Sequence, residues 1–364
     1  MPTEVYAKAE VDELVGGLDD RITALEEGQG PGPSPEPPAE IVPFGVSFGG
    51  IGYTDDAAKR GRMMDDLVAM GAGSLRMQLW RQTQCVDAIH QAVGKGLPVL
   101  TCVMPDYSST VIDRARAKSY GTEAANSIGD VVDDLEFWNE PDLTNTWTPQ
   151  QWAQAAVGFQ EGVEASQHPE CRVWQGALWT WKMNDGSTSQ GAYEWWRLAY
   201  DEWDRMGVDG LPGFGCSGHM YGDYGWNDPR NALWGYFGPD GKGTAENCIR
   251  ALMDRNGDDG KPIIATECGN GDPKGQPAAV TTMFDLMDAG TLASFQVYCQ
   301  WDDAAGTFGM RPAEGQTPRQ AYGIYQTRAA GGGRTTRHFR SVPPGPTPWQ
   351  LRGDVPKLPK GVAA

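Results

Sequence analysis

Residues 261–301 read KPIIATECGNGDPKGQPAAVTTMFDLMDAGTLASFQVYCQW. Two short apolar runs, at 261–270 and 292–301, enclose a stretch with helical periodicity at 278–290. Each apolar run is continuous rather than alternating, which is typical of parallel strands that are covered on both faces. The segment therefore predicts one strand–helix–strand unit of a parallel sheet.

The same alternation of strand-like and helix-like segments extends over residues 43–328. The other six predicted strands lie at 44–50, 74–80, 98–105, 131–142, 172–179 and 214–222. Besides the helix at 278–290, helices are predicted at 55–71, 85–96, 111–128, 148–166, 192–207, 244–257 and 318–328. Eight such units predict an α/β fold, a (β/α)8 TIM barrel. A doubly wound parallel sheet is the alternative, although it usually has fewer strands.

Both ends of the chain differ from this barrel segment. Apolar residues within 1–27 are spaced four and three apart, the a/d pattern of a coiled coil, at Val11, Val15, Leu18, Ile22 and Leu25. Residues 28–42 form a Pro/Gly-rich linker, which favours an oligomerising stalk, with a trimer preferred, over a helix docked on the barrel. We predict that residues 329–364, which are rich in Pro and Gly and basic, form an extended tail.

The charge of the chain restricts its partners. The 364 residues include 30 Lys+Arg and 48 Asp+Glu, a net charge of −18. Residues 1–40 carry ten acids and two bases, and residues 331–364 carry one acid and six bases, so the segment between them carries −15. This acidity opposes binding to nucleic acids and to anionic membranes.

The sequence also bears on compartment and membrane insertion. No apolar run approaches the ~18 residues of a membrane span, and the acidic N-terminal residues lack a signal-peptide pattern. Four cysteines in apolar strand-like runs are predicted to be buried thiols, as expected after synthesis in a reducing cytoplasm: Cys102, Cys216, Cys268 and Cys299.

Two glutamates lie at the carboxyl ends of predicted strands, where TIM barrels place their reacting groups. Glu140 closes strand 4 in the segment FWNEP at 137–141, and Glu267 closes strand 7 in IIATE at 263–267. Strands 4 and 7 lie on opposite sides of a closed barrel, so the two side chains can face each other across its mouth. Two carboxyl groups in this arrangement are the acid/base and the nucleophile of glycoside hydrolysis, and retention of configuration needs a separation of ~5–5.5 Å.

With these motifs the chain resembles glycoside hydrolase clan A, a superfamily of retaining (β/α)8 enzymes. The resemblance covers residues 44 to about 325. It implies that Asn139 holds the 2-hydroxyl of the sugar, that Glu140 is the acid/base and that Glu267 is the nucleophile. Two carboxyl groups with these roles would have to be kept in different protonation states by their surroundings.

The same resemblance implies four supporting residues. Arg76 on strand 2 would keep the nucleophile ionised, and Tyr221 on strand 6 would contact the nucleophile. His219 would lie near the sugar, and Trp301 after strand 8 would form the aromatic floor of the subsite. The segment MPDY at 104–107 lacks the histidine that some families of the clan carry after strand 3, which speaks against a direct match to family 5.

Three further tryptophans near strand ends, Trp80, Trp179 and Trp181, are candidate platforms for sugar rings, with core packing as the alternative. We predict no metal site and no cofactor. The segment DRNGDDG at 254–260 has some features of a calcium loop, but its glycine is misplaced, so we interpret it as a helix-to-strand turn.

The predicted function is that of a retaining glycoside hydrolase that cleaves a polysaccharide, neutral rather than acidic, by double displacement. A heptad helix, a linker and a catalytic domain in this order resemble a phage tail protein, and the composition suggests an actinobacteriophage. A cell-envelope glycan would then be the substrate, the virion tail the location and other tail proteins the partners. Two alternatives are a non-catalytic glycan-binding or structural tail module on the same barrel and a cytoplasmic oligosaccharide-processing enzyme.

Overall fold

The fold is described from a computed structural model. The residues described are 43–47, 56–79, 83–104, 110–142, 146–179, 192–221, 248–300, 309–312 and 315–331. The predicted N-terminal coiled-coil helix, the linker and nearly all of the C-terminal tail lie outside these ranges, so those three predictions stay predictions.

Eight parallel strands close into a barrel in which each strand pairs with its neighbours in the chain. The strands are β1 (Gly45–Ser47), β2 (Leu75–Leu79), β3 (Val99–Val103), β4 (Asp134–Phe137), β5 (Arg172–Trp179), β6 (Gly215–Tyr221), β7 (Ile263–Gly269) and β8 (Ser294–Tyr298). Closure is made by β1 and β8, where Ser47 pairs with Tyr298. The predicted (β/α)8 barrel is thereby confirmed, and the doubly wound sheet is excluded because that sheet has open edges.

One helix follows each strand within the described part of the chain. The helices are α1 (Ala57–Met70), α2 (Thr83–Gly94), α3 (Arg114–Ile128), α4 (Pro149–Glu164), α5 (Ala192–Arg205), α6 (Ile249–Arg255), α7 (Gln276–Asp288) and α8 (Gln320–Gly331). Local sequence explains where several of them begin. Thr148 forms a capping box with Gln151 at the start of α4, with Pro149 in the first turn. Asp56 and Asp113 cap α1 and α3 by accepting a hydrogen bond from the backbone N–H three residues later.

Helices α3 and α4 approach each other closely because glycines line their contact. A Cβ on Gly158 of α4 would collide with the carbonyl oxygen of Arg114, and a Cβ on Gly162 with that of Lys118. Gly121 of α3 meets the backbone of α4 in the same manner. No side chain larger than hydrogen fits here unless the helices move apart.

The core between strands and helices holds most of the aromatic side chains that the structure describes. All seven tryptophan side chains that the structure describes are buried, Trp174 inside the barrel and the other six in this core: Trp138, Trp147, Trp152, Trp195, Trp196 and Trp203. The high tryptophan content therefore supports the core at least as much as any sugar platform. All seven cysteines are buried, which confirms the four predicted buried thiols.

Inside the barrel, an apolar cluster of Leu100, Trp174 and Ile264 fills the space between the strands. Strand register puts this cluster on the same inward face as two charged residues. Arg76 pairs with Leu100 between β2 and β3, and Glu136 pairs with Trp174 between β4 and β5. Two charged side chains thus share the barrel interior with the apolar cluster, and the candidate site lies at the carboxyl ends of the strands. None of the described helices is long and apolar enough to cross a membrane.

Candidate active site

The chain bends sharply where β4 ends, and the bend carries Asn139 and Glu140. Trp138 and Glu140 adopt the left-handed backbone region, with φ of 66° and 47°. Such a conformation costs about 1–3 kcal/mol for a residue with a side chain, so the surroundings must hold it. The ring of Trp138 is fully buried and packs edge-on against Trp147. The N–H of Glu140 donates to the carbonyl oxygen of Ala177 on β5 at 2.9 Å.

Glu140 and Glu267 face each other as the sequence predicts. The side chains are nearly buried, with 9% and 7% of each residue exposed. A carboxylate oxygen of Glu140 lies within 4.8 Å of one of Glu267. Two carboxyl groups this close belong to the short-separation class, in which no water fits between the sugar and the carboxylate opposite the acid, so that this carboxylate can itself attack.

Arg76, on β2, lies beside the carboxylate of Glu267. Its Nη1 donates to Glu267 Oε1 at 2.6 Å and to Ser47 Oγ at 3.3 Å. Its Nη2 donates to Asn139 Oδ1 at 2.8 Å. One guanidinium therefore joins the carboxylate at the end of β7 to the amide at the end of β4, and the predicted contact of Arg76 with Glu267 is present.

Glu136 was not among the residues predicted from the sequence, yet it is the second carboxylate on Arg76. Its Oε2 accepts from Arg76 Nε at 2.6 Å, and it is fully buried. Glu136 precedes Glu140 by four residues and lies between Leu135 and Phe137 within β4. A charged residue between two apolar residues of a strand that is covered on both faces is the signal that could have found it.

His219 and Tyr221 project from alternate positions of β6 toward the two glutamates. His219 Nδ1 is 2.7 Å from Glu140 Oε1 and 3.6 Å from Glu267 Oε2. The Tyr221 hydroxyl donates to Glu267 Oε2 at 2.6 Å. The structure therefore brings together six of the predicted residues, Arg76, Asn139, Glu140, His219, Tyr221 and Glu267.

The surroundings shift the pKa values of the two glutamates in opposite directions. Burial raises the pKa of Glu140, and the nearby charge and hydrogen bond of His219 only partly oppose it. Burial also raises the pKa of Glu267, but the charges of His219 and Arg76 and the hydrogen bonds from Tyr221 and Arg76 outweigh it, so that pKa is lowered. As the pH rises, Glu267 therefore ionises first, and Glu140 keeps its proton to a higher pH.

The pKa of His219 is raised because the charges of Glu267 and Glu140 overcome the opposing effect of burial. Ionised Glu140 therefore has a cationic neighbour. This arrangement compensates the charge on Glu140 whenever the carboxyl group gives up its proton.

The predicted tryptophan platforms are not located by the described part of the chain. Trp80, Trp181 and Trp301 lie outside it, and for Trp179 only the backbone is described, at the end of β5 opposite His219. An aromatic residue that the sequence analysis missed is Tyr298, the last residue of β8. Its ring lies 6.2 Å from the ring of Tyr221.

Three of these groups could also hold a divalent cation. Glu140, His219 and Glu267 offer ligand atoms within 4.8 Å of one another. However, both carboxylate oxygens of Glu267 already accept hydrogen bonds, one from Arg76 and one from Tyr221. A guanidinium at 2.6 Å repels a cation, so this cluster has the chemistry of an acid pair rather than of a metal centre.

Comparison with known proteins shows which solved structures share the fold of this chain. No protein-family model matches the chain, and no curated protein sequence matches it. An exo-β-1,4-mannosidase from Opitutaceae bacterium strain TAV5 is 11% identical with a TM-score of 0.57, over 81% of this chain and 60% of the mannosidase. This chain thus spans less than two thirds of that protein.

Two further structures match over most of their own length. A triple mutant of an endo-β-1,4-glucanase from Xanthomonas axonopodis pv. citri is 11% identical with a TM-score of 0.56, over 79% of this chain and 99% of that one. A β-glucosidase is 15% identical with a TM-score of 0.54, over 76% and 89%. At such identities the likeness shows that the chain shares their barrel fold.

Proposed function

We propose that this chain is a glycoside hydrolase that cleaves O-glycosidic bonds with retention of configuration. The observation that carries the proposal is the pair of buried glutamates, whose carboxylate oxygens lie within 4.8 Å of each other and whose pKa values move in opposite directions. That the matched solved structures are described as a mannosidase, an endoglucanase and a β-glucosidase supports the same chemistry.

In the first half of the reaction Glu267 is the nucleophile and Glu140 is the acid. The ionised carboxylate of Glu267 attacks the anomeric carbon while the glycosidic C–O bond breaks. The leaving oxygen takes the electron pair of that bond and the proton of Glu140. The products are a sugar ester of Glu267, an ionised Glu140 and a free alcohol.

In the second half Glu140 acts as a base. Its carboxylate removes a proton from water, which attacks the same anomeric carbon and releases Glu267. The charge on Glu267 has by then been consumed by the ester, so the like charge that had added to the effect of burial in raising the pKa of Glu140 is absent. His219, 2.7 Å from Glu140, compensates the carboxylate that acts in this step.

The remaining polar groups orient the nucleophile and the sugar. Arg76 and Tyr221 each hold one oxygen of Glu267, which fixes the plane of the carboxylate. Asn139 is held by Arg76 at its Oδ1, so its amide N–H groups remain for a sugar hydroxyl. A hydrogen bond to the 2-hydroxyl that strengthens in the transition state would accelerate the reaction.

The proposed substrate is a neutral polysaccharide of a cell envelope, and the proposed setting is the tail of an actinobacteriophage virion. The net charge of −15 between residues 40 and 331 supports a neutral glycan, because an acidic one would be repelled. The heptad spacing within residues 1–27 supports a trimeric stalk that would join the barrel to other tail proteins. Sedimentation of residues 1–40 fused to a monomeric carrier tests the stalk, and a monomer at all concentrations would refute it.

The enzymatic proposal is tested with a panel of aryl glycosides and neutral envelope polysaccharides. We expect release of a sugar whose first-formed anomer, followed by proton NMR, has the configuration of the substrate. Glu267→Gln should abolish turnover and leave folding and glycan binding intact. Glu140→Gln should retain attack on substrates with good leaving groups, stall at the ester, and regain turnover when azide replaces water.

The matched control is Glu170→Gln, because Glu170 is an exposed glutamate that contacts only His168 among the described side chains. It should behave as the unmodified chain does. Full activity of the Glu267→Gln variant on a responsive glycan would overturn the assignment of the nucleophile. Glycan binding without turnover on the whole panel would favour the non-catalytic tail module.

A further inference from the structure

One buried cation stands between two buried carboxylates in the barrel. Only 2% of Arg76 is exposed, and its guanidinium lies 2.6 Å from Glu136 and 2.6 Å from Glu267. The mechanism proposed above uses Glu267 and leaves Glu136 without a role. A fully buried carboxylate is costly unless it is paired, so its presence needs a reason.

The contact with Glu136 fixes how the guanidinium is turned. Glu136 Oε2 lies 2.6 Å from both Nε and Nη2 of Arg76, so it occupies one edge of the planar group. The fork of an arginine is rigid, which means that holding this edge determines where the other nitrogens point. Nη1 is thereby aimed at Glu267, and the outer side of Nη2 at Asn139.

We propose that Glu136 is a positioning residue that acts through Arg76. It holds the guanidinium in the one orientation that serves both Glu267 and Asn139, and it neutralises that cation throughout the catalytic cycle. The inference rests on the hydrolase function proposed above and deepens it.

The charge argument follows from the first chemical step. When Glu267 forms its ester with the anomeric carbon, it loses its negative charge, while Glu140 loses its proton to the leaving oxygen. Without Glu136, Arg76 would then be a buried cation with no counter-ion next to a sugar that is itself developing positive charge. With Glu136 in place the pair is neutral, and the full charge of Glu267 is available to the oxocarbenium-like transition state.

The groups around this pair define what a titration would report. Those acting on Arg76 are Glu136, Cys102 and Glu267, and those acting on Glu267 include His219, Arg76 and Tyr221. Glu136 is a like charge toward Glu267. Removing it leaves Arg76 to Glu267 alone, and the pKa of Glu267 should therefore fall.

The test compares Glu136→Gln with Asp134→Asn. The first variant preserves the shape of the side chain and removes its charge. The second removes another buried charge from the same strand, where Asp134 accepts hydrogen bonds from Arg172 and Trp174 while Arg76 donates to Glu136. For Glu136→Gln we expect kcat/KM to fall about 10- to 100-fold. The acid limb of its pH profile should move to lower pH by about half a unit or more. Asp134→Asn leaves the bonds of Arg76 to Glu136 and Glu267 in place, so it should keep both within about threefold and about 0.2 pH units of the unmodified chain.

A second readout does not require turnover. In protein labelled with ¹³C at glutamate Cδ, the resonance of Glu267 is identified by its loss in Glu267→Gln. Its titration should move to lower pH in Glu136→Gln and stay in place in Asp134→Asn. If the titration of Glu267 moves in Glu136→Gln but no glycan is turned over, the positioning role of Glu136 would stand and the hydrolase function would be rejected. Turnover with an unmoved titration, or equal movement in both variants, would reject the role of Glu136 and leave the hydrolase standing.

Discussion

Replacing Arg76 by methionine removes the cation on which both sides of the site depend. Methionine has a similar length but neither charge nor hydrogen-bond donors. The substitution removes the bonds to Glu136, Glu267 and Asn139. Two buried carboxylates are then left without their common counter-ion.

The size of the effect follows from the contacts. Nitrogen–oxygen distances of 2.6 Å place the charge centres about 4 Å apart, where a unit pair is worth about 4 kcal/mol at an effective dielectric constant of ~20. Two carboxylates share the cation and His219 continues to stabilise Glu267, so about half of this value applies to Glu267. That corresponds to a rise of about 1.5 units in its pKa. Breaking a buried ion pair should also lower the free energy of unfolding by about 3–5 kcal/mol.

The effects of Arg76→Met on kcat/KM and on the free energy of unfolding both depend on pH in a defined direction. The pKa of Glu267 is lowered in the folded chain, so its ion pair stabilises the fold above the ordinary pKa of a glutamate, and this contribution is lost as pH falls through the lowered value. In Arg76→Met the folded pKa rises, and the acid limb of kcat/KM should move up by about 1.5 pH units. The loss of stability, measured by urea unfolding, should be larger at pH 7 than at pH 4.

The lysine variant separates charge from geometry. Arg76→Lys keeps the cation but loses the fork, so its acid limb should stay near the original position while kcat/KM falls roughly tenfold. An acid limb that does not move in Arg76→Met would refute the reasoning even if activity were lost. If Arg76→Met does not fold, an acid limb displaced by a full pH unit in Arg76→Lys would refute it instead.

Three other predictions concern separate parts of the molecule. Tyr221→Phe removes the donor to Glu267 Oε2, so kcat/KM should fall about tenfold and its acid limb should move up, whereas unchanged pH–rate data would contradict the contact. Gly158→Ala places a methyl group against the carbonyl oxygen of Arg114 and should lower the free energy of unfolding by about 1–3 kcal/mol in urea titrations. Its control, Gly94→Ala, meets open space in α2 and should raise that free energy by about 0.5–1 kcal/mol, so equal effects would argue against the helix contact. Iodoacetamide should leave all seven buried thiols of the native chain unlabelled and react with them after unfolding, as followed by mass spectrometry.

The barrel could be predicted because parallel strands carry a strong local signal. A strand that is buried on both faces must be apolar along its length, as in 98–105 and 261–270, and each is followed by an amphipathic helix. Candidate catalytic residues follow from that prediction, since the carboxyl ends of the strands all meet at one mouth. Glu140 and Glu267 were singled out in this way, and the structure brings them together although 126 intervening residues separate them in the chain.

The residues that sequence reasoning missed owe their roles to strand register and to side-chain contacts between distant parts of the chain. The role of Glu136 becomes visible only when Arg76, 60 positions away, is seen to bond to it. The aromatic residue that the structure places at the end of β8 is Tyr298, whereas the predicted Trp301 lies outside the described residues and stays a prediction. Trp147 is only 3% exposed and packs against Trp138, a contact that the sequence alone does not predict.

The bend after β4 affects how the protein loses its activity on heating. Glu140 is held by a backbone bond to Ala177 on β5, and the N–H of Ala177 in turn donates to Ser217 on β6. The left-handed backbone at Glu140 therefore persists only while neighbouring strands remain paired, and a closed barrel has no edge strand that can detach first. Thermal inactivation should thus coincide with the cooperative melting of the barrel rather than precede it, unlike inactivation at a site built on a mobile loop.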